Sequence, residues 1–597
     1  MRPLAVLLCV LILATAASAE LVVARAYYRA GNASLHVFVS NKGAQPVTLL
    51  PPIVNGFDTA SLGRDGLHPG SVLWYRCRPN SIPPGGIADL TITLAEPTDK
   101  PAVVELRTAA GKSITKTIPC VAEPLRFQAI RFSRDLRCIH LYARWSDPSS
   151  TDALKTIRMD GRGAAKLASP WPARSCDGLA YTRITLDKPL TQGSYHVFEV
   201  ETDSGLSTAY QIRAIPAEFL IGVYGSVSEE NVRDWAAHGC NHYLSFGSVP
   251  AGSLDLMNAS GISVGARYIP EVLVDRKAGK VLVCDEARAR GIIEGFVAKP
   301  NLLYHHLVDE PDVADYYTGR RLGASAMELI ARGTLCEACD PLRYTFVQLD
   351  NTFRPRNYRV YGEAADVLAT HRYSLGSFLG SEAGPKTATR PPFLDDLNDT
   401  VARFREATEP NPFFMVPQFF DLGAGRLGRP PGIEEMRLQC YASVAGGARG
   451  LIHYIHSGSG GGHEGATTPA LWDAMTGMHA ELKRVGEVVQ TGTPAPEGWV
   501  KAGSANVHAS ALLCGDSMAV VLINLAHRSA LDRFTARPIR DVTISVRVPP
   551  WLDASKLELT PADGSAPTPA AMRGNELTFT VDEVKDARCF LLCPRSR

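Results

Sequence analysis

Residues 302–317, LLYHHLVDEPDVADYY, set two neighbouring carboxylates, Asp309 and Glu310, directly after an apolar run and directly before Pro311. Desolvating a carboxylate is costly, so two of them do not belong in a core. At the exit of a strand they can do acid–base work. A glycosidic bond needs a proton on its departing oxygen and negative charge, or a nucleophile, near the anomeric carbon, and paired carboxylates supply both. A plainer reading stands beside this one: either acid can cap a following helix, where Asp is a normal residue. Other side chains able to hold a sugar sit in or just after later apolar runs. They are Asp350 after YTFVQL, His371 and Tyr373 in ADVLATHRY with Arg372 between them, Gln418 and Asp421 in PQFFD, and Tyr454 in GLIHYI. Packing or a rim ion pair is the alternative for each. His305 and His306 invite a metal, but neighbouring strand residues diverge and no third ligand follows at suitable spacing, so no metal and no cofactor is expected.

These residues need a scaffold that brings strand ends together. From Phe219 the chain alternates strand and helix signals: FLIGVYG, NHYLSF, ISVGARYI, LLYHHLV, YTFVQL, ADVLATHRY, FFMVPQFF and GLIHYI. Helical segments are expected at Glu229 to His238, with Ser226 and Glu229 as a capping box, and at Glu286 to Ala298, Arg321 to Ala331, Leu394 to Ala407 and Gly432 to Val444. A last one carries Leu471, Met475, Met478, Leu482, Val485 and Val489 as one apolar stripe. Eight strand candidates over roughly 270 residues match a (β/α)8 TIM barrel, whose chemistry sits at the C-terminal strand ends. The open doubly wound sheet is the competitor, but the first turn, YGSVSEEN, lacks G-x-G-x-x-G. LLYHHLV is the fourth strand, which puts Asp309 and Glu310 on the working rim. Adjacent strand residues face opposite ways, so both acids share a pocket only if the strand end is irregular.

Before and after this stretch, short alternating strands such as SLHVFVS, ADLTITL and SMAVVLINL, spaced by turn residues, predict β-sandwiches of immunoglobulin-like type. The expected division is a signal peptide at 1–19, β-sandwiches at 20–122 and 123–216, the barrel at 217–491 and a C-terminal β-sandwich at 492–597. Arg2, the apolar run Leu4 to Ala14 and Ala17-Ser18-Ala19 form the signal pattern, so a secreted or periplasmic location is expected. No later segment approaches the roughly 20 apolar residues of a membrane span. Lys+Arg 62 against Asp+Glu 61 gives no basic field for nucleic acid. A neutral ligand fits better: an oligosaccharide, polysaccharide or glycoconjugate. Thirteen cysteines make some disulfides plausible, and Cys336 and Cys339 read as a local disulfide or two buried thiols. SGSGGGHEG, 457–465, reads as a loop over the pocket, with His463 and Glu464 as possible contacts, and Tyr224, Phe246, Tyr268, Tyr454 and Trp472 as either a stacking platform or ordinary packing.

Three stretches, EENVRDWAAHGCNHYLSF, YHHLVDEPD and RPPGIEEMRLQCYASVAGGARGLIHYI, resemble secreted (β/α)8-barrel glycoside hydrolases. The Asp-Glu-Pro after the fourth strand is most similar to glycoside hydrolase family 123, whose members cleave β-linked N-acetylgalactosamine. That resemblance implies Glu310 as general acid/base and Asp309 as the partner that orients the substrate acetamido group, whose carbonyl oxygen attacks the anomeric carbon. The commonest barrel group of double-displacement glycosidases places Asn-Glu after strand four and a nucleophilic Glu after strand seven. Here Asp309 replaces the Asn and PQFFD has no Glu. An inverting pair, Glu310 with Asp350 or Asp421, stays open. So does a carbohydrate-binding protein that kept the barrel and lost activity.

Overall fold

The computed structural model describes residues 21–64, 71–150, 152–163, 177–245, 249, 251–267, 271–272, 283–312, 324–350, 354–373, 393–420, 430–456, 468–529 and 534–595. The expected signal peptide, Asp421, Phe246, Tyr268 and the 457–465 loop with His463 and Glu464 lie outside the described residues.

Apolar runs of four to eight residues close into a parallel barrel. Its strands are β1 (Leu220–Val223), β2 (His242–Leu244), β3 (Ser263–Ala266), β4 (Leu302–Asp309), β5 (Tyr344–Leu349), β6 (Val367–His371), β7 (Phe413–Val416) and β8 (Gly450–His453), each paired with the next and β8 with β1. Helices follow the strands in turn: α1 (Glu229–Ala237), α2 (Ala251–Ala259), α3 (Glu286–Phe296), α4 (Ala326–Cys339), α5 (Arg356–Tyr361), α6 (Phe393–Thr408), α7 (Ile433–Ala445) and α8 (Pro469–Val489). Strands covered on both faces are apolar on both faces. Tyr304, Phe346, Phe414 and Ile452 fill the barrel interior, while Ile221, Leu307, Val347 and Leu451 pack outward on the helices. Tyr304 leaves no room opposite it: a Cβ on Gly265 of β3 would meet its ring at 2.2 Å.

Three local expectations change. The first helix is capped by Ser228, whose Oγ accepts the Asn231 N–H at 3.1 Å, rather than by Ser226. The helix expected at Arg321 to Ala331 runs from Ala326 to Cys339, because Ser325 takes the cap and accepts the Glu328 N–H. Helices α2 and α5 are additions, and α5, at six residues, is too short to show an apolar period.

Facing antiparallel sheets flank the barrel. In the first pair, Leu21–Arg29, Ser34–Asn41, Ile87–Leu94 and Val72–Arg78 lie in that order and share a core with Val47–Val54 and Ala102–Thr108. A second pair is built on Leu125–Phe132 with Cys138–Trp145, and on Tyr195–Thr202 with Ser207–Arg213. A third follows α8, around Ser517–Asn524 and Ile539–Arg547. Buried ions fasten the first pair to the barrel: Glu363 accepts from Arg29 Nη1 at 2.8 Å and Ser34 Oγ at 2.7 Å, and stands 3.1 Å from His36 Nε2. Every described cysteine is a free thiol, Cys336 and Cys339 included. Among the described residues no helix is long and apolar enough to cross a membrane.

Candidate active site

The irregularity that two adjacent acids require is present at the end of β4. Along that strand Tyr304 points into the barrel, His305 outward to Asp340 at 3.1 Å, and His306 inward against Phe346. The register then slips. His306 pairs with Phe346, but Val308 pairs with Val347 and Asp309 with Gln348, so Leu307 is an extra residue. Leu307 and Val308 both pack on the outer, helix-facing core. This β-bulge reverses the parity of everything after it. Asp309, which strict alternation would turn outward, shares the inward register of Gln348. The carbonyl of Leu307 accepts Arg332 Nη1 from α4 at 3.1 Å. Arg332 Nε in turn donates to Glu328 at 2.7 Å, and Glu328 also accepts Arg64 Nε at 2.6 Å.

One residue further the backbone turns again. Glu310 has φ of 49°, the left-handed region that costs a residue with a Cβ on the order of 1–3 kcal/mol. Its N–H still donates to the Gln348 carbonyl at 2.9 Å, so the ladder holds it there. Bulge and turn together aim both carboxylates at one wall. Tyr224, Tyr373 and Tyr454 each feel the charge of both Asp309 and Glu310. Tyr373 and Tyr454 lie 5.7 Å apart by ring centroids, with Phe420 edge-on to both.

The two acids differ in their partners. Asp309 forms an ion pair with Arg267, from the end of β3, at 3.4 Å. Glu310 faces His371 Nε2 at 3.8 Å, and that nitrogen lies 3.1 Å from Asp350 Oδ1. The Glu310 side chain keeps 35 % of its surface, through which a substrate would reach it. Loss of hydration nevertheless pushes its carboxyl up to about 8, with Asp309, Asp350 and Asp312 adding to the rise and the His371 charge opposing it. Burial alone would lower His371, but the Asp350 hydrogen bond and the charge of Glu310 lift it to about 9. Asp312, buried beneath, accepts the Asp350 N–H at 2.8 Å and Asn357 Nδ2 at 2.9 Å, and burial next to Asp350 pushes it up to about 7. Each group therefore sets the other's proton: a charged Glu310 favours the imidazolium, and the imidazolium favours loss of the Glu310 proton. The Gln348 amide nitrogen stands 3.5 Å from His371 Nδ1. Glu310, Asp350 and His371 bring donor atoms within 4.8 Å of one another, the composition a divalent cation accepts.

Of the residues singled out from sequence, Asp309, Glu310, Asp350, His371, Tyr373 and Tyr454 come together here. Gln418 is fully buried beside them: it bridges to Tyr454, its N–H donates to Gln439 at 2.9 Å and its amide donates to the Phe420 carbonyl at 3.4 Å. Arg372 is drawn back to α6, where its Nη2 donates to Asp396 at 3.0 Å. Tyr224 is buried against Gln348 inside the barrel, and Trp472 donates to Asp234 at 2.8 Å in the packing of α8 on α1. Arg267, Gln348 and Asp312 were not singled out. Arg267 and Gln348 sit at or near C-terminal strand ends, so the rule that found Asp350 reaches them too, whereas only the tertiary fold marks Asp312.

Fold and mouth together define a parallel (β/α)8 barrel with an acid–base cluster at its C-terminal rim. No protein-family model matches the chain, and no curated protein matches it. Similar solved structures include a glycoside hydrolase family 5 protein from Bacteroides vulgatus ATCC 8482, at 14 % identity and TM-score 0.39 over 64 % of this chain and 91 % of that one. A GH30 endoxylanase from Clostridium papyrosolvens C71 is 12 % identical, TM-score 0.38, over 64 % of this chain and 97 % of that one. The β-glucuronidase of Parabacteroides merdae is 10 % identical, TM-score 0.30, over 85 % and 80 %. Likeness at this level says nothing of substrate or mechanism, and the barrel rests on its own strand pairing.

Proposed function

We propose that the protein is a glycoside hydrolase that cleaves a terminal 2-acetamido sugar by substrate-assisted, retaining catalysis. The observation that carries the reading is the shared orientation of Asp309 and Glu310, with Glu310 keeping its proton to about pH 8. A general acid works best when its pKa lies near the operating pH. In the first step the acetamido carbonyl oxygen bonds to the anomeric carbon while the glycosidic bond breaks and Glu310 gives its proton to the departing oxygen. Asp309, anchored by Arg267, accepts a hydrogen bond from the acetamido N–H and balances the oxazolinium charge that forms. In the second, the Glu310 carboxylate takes a proton from water, whose oxygen bonds to the anomeric carbon and reopens the ring. Tyr373 and Tyr454 offer faces and hydroxyls to the sugar.

An inverting partnership of Glu310 with Asp350 fits less well, since their nearest oxygens lie within 4.8 Å and inversion uses about 6.5–9.5 Å. Asp350 instead orients His371. The proposal extends to residues 217–491 as the catalytic unit between immunoglobulin-like flanks, and to an exported protein that meets glycans outside the cytoplasm. Paired aryl glycosides with and without the 2-acetamido group test it. Turnover is expected only with the acetamido group, together with inhibition by a thiazoline analogue of the cyclised intermediate. Faster turnover of the substrate lacking it would refute the mechanism.

A further inference from the structure

Asp312 is a buried carboxylate that takes no part in the two chemical steps above. It follows Glu310 by two residues, and the left-handed turn at Glu310 returns Pro311 and Asp312 to the interior, where Asp312 keeps 1 % of its surface. Burying an acid is costly unless its oxygens are hydrogen-bonded. Both are: Oδ1 accepts the Asp350 N–H at 2.8 Å, and Oδ2 accepts Asn357 Nδ2, from the first turn of α5, at 2.9 Å. Two facing donors need a carboxylate, because an amide in its place offers one acceptor and one donor.

The peptide between Leu349 and Asp350 is held from its other side as well. The Leu349 carbonyl accepts Thr370 Oγ1 of β6 at 3.2 Å, and Thr370 Oγ1 lies 3.3 Å from the Tyr358 hydroxyl of α5. The N–H and C=O of a planar trans peptide point opposite ways, so the exit of β4 and the end of β6 grip one plane between them. That plane carries the Asp350 side chain, whose Oδ1 stands 3.1 Å from His371 Nε2, the nitrogen that faces Glu310 at 3.8 Å. We infer that Asp312 is a positioning residue for the general acid: it fixes the Leu349–Asp350 peptide and, through Asp350 and His371, the orientation of Glu310, an inference that rests on Glu310 as the acid. The segment that presents the proton donor thus also anchors the residues that orient it.

The test is Asp312→Asn in the full chain, assayed as kcat/KM on an alkyl 2-acetamido glycoside and on its 2,4-dinitrophenyl counterpart, whose departing phenolate needs no proton. The new amide sets an NH2 against the Asn357 NH2 or the Asp350 N–H, so one contact is lost. A misplaced acid harms only the substrate that needs it: a loss of about 10–10²-fold is expected on the alkyl glycoside and of less than about threefold on the dinitrophenyl one. Adding Asn357→Asp exchanges donor and acceptor across the pair and is expected to restore the alkyl rate to within about threefold of the unaltered chain. Thr370→Val releases the other side of the peptide; it is expected to give the same selective loss and serves if Asp312→Asn does not fold. Equal losses on the two substrates, the mark of a merely structural role, or a loss that the exchange leaves uncorrected overturns the inference. Turnover of neither substrate by the unaltered chain refutes the proposed function instead; the positioning role is then judged on crystals of Asp312→Asn or Thr370→Val, where an unchanged arrangement of Asp350, His371 and Glu310 overturns it.

Discussion

Glu310→Gln keeps the size of the side chain and an oxygen that accepts, and removes the proton. With its carboxyl raised to about 8, Glu310 holds that proton in about nine of ten molecules at pH 7. An ordinary glutamate at 4.5 holds it in about one of three hundred, so the surroundings supply roughly 300-fold in the acid form. Positioned proton transfer itself contributes about 10²–10⁴ in rate. The assay compares an alkyl 2-acetamido glycoside, whose departing alkoxide needs the proton, with the 2,4-dinitrophenyl glycoside, whose departing phenolate does not. Glu310→Gln is expected to lose about 10²–10⁴ in kcat/KM on the alkyl substrate and less than about tenfold on the dinitrophenyl one. The wild-type alkaline limb, near pH 8 on the alkyl substrate, disappears in the variant. Equal losses on both substrates, or a wild-type rate level through pH 9, would refute Glu310 as the acid.

His371→Asn removes a positive charge that holds Glu310 down, so the alkaline limb moves to higher pH; a limb that moves to lower pH contradicts the electrostatics. Deleting Leu307 removes the bulge but leaves Val308 opposite Val347 and Asp309 opposite Gln348, so Asp309 keeps its inward register and activity is expected to stay within about tenfold; a loss of about 10² or more with the barrel's circular dichroism retained contradicts the register. Glu363→Gln leaves Arg29 and His36 as buried cations with less compensation, at a cost of about 3–5 kcal/mol in chemical denaturation. The same cluster gives the native protein a pH window. Burial alone would raise Glu363, but His36 and Arg29 hold it well below the carboxylate range, so its contribution is complete above pH 4.5 and drains below it. His36, lowered by burial but lifted to about 10 by Glu363 and Asp89, contributes fully below 6.5 and loses that contribution as pH rises to 10. Denaturation midpoints followed across pH are expected to peak between those limits, and the variant to flatten both flanks.

The barrel was legible because each of its strands is an apolar run bounded by turn residues and most are followed by a helical period. Helix ends were less so, since Ser226 and Ser228 offer the same cap chemistry and only the path of the chain chooses between them. In the site, the strand-end rule located Asp309, Glu310, Asp350, His371, Tyr373 and Tyr454. It carries no information about which neighbour reaches a side chain first. Gln439 engages Gln418 from α7, and Asp396 takes Arg372 from α6. Nothing in LLYHHLVDEP marks Leu307 as an extra residue. A bulge is written in the register of two strands, and the partner strand β5 lies more than 35 residues along the chain.

That hidden residue decides what the visible ones can do. Without the bulge, with Leu307 paired in the ladder, Asp309 would face the helix layer, where Glu328 already occupies the buried ground around Arg332, and a second acid there would lack a counterion. With it, Asp309 meets Arg267 in the mouth, and its charge becomes one of the terms that keep Glu310 protonated. The bulge and the retained proton are therefore coupled. An Asp309→Asn change that leaves the fold intact must lower the Glu310 carboxyl and shift the alkaline limb on the alkyl 2-acetamido substrate down.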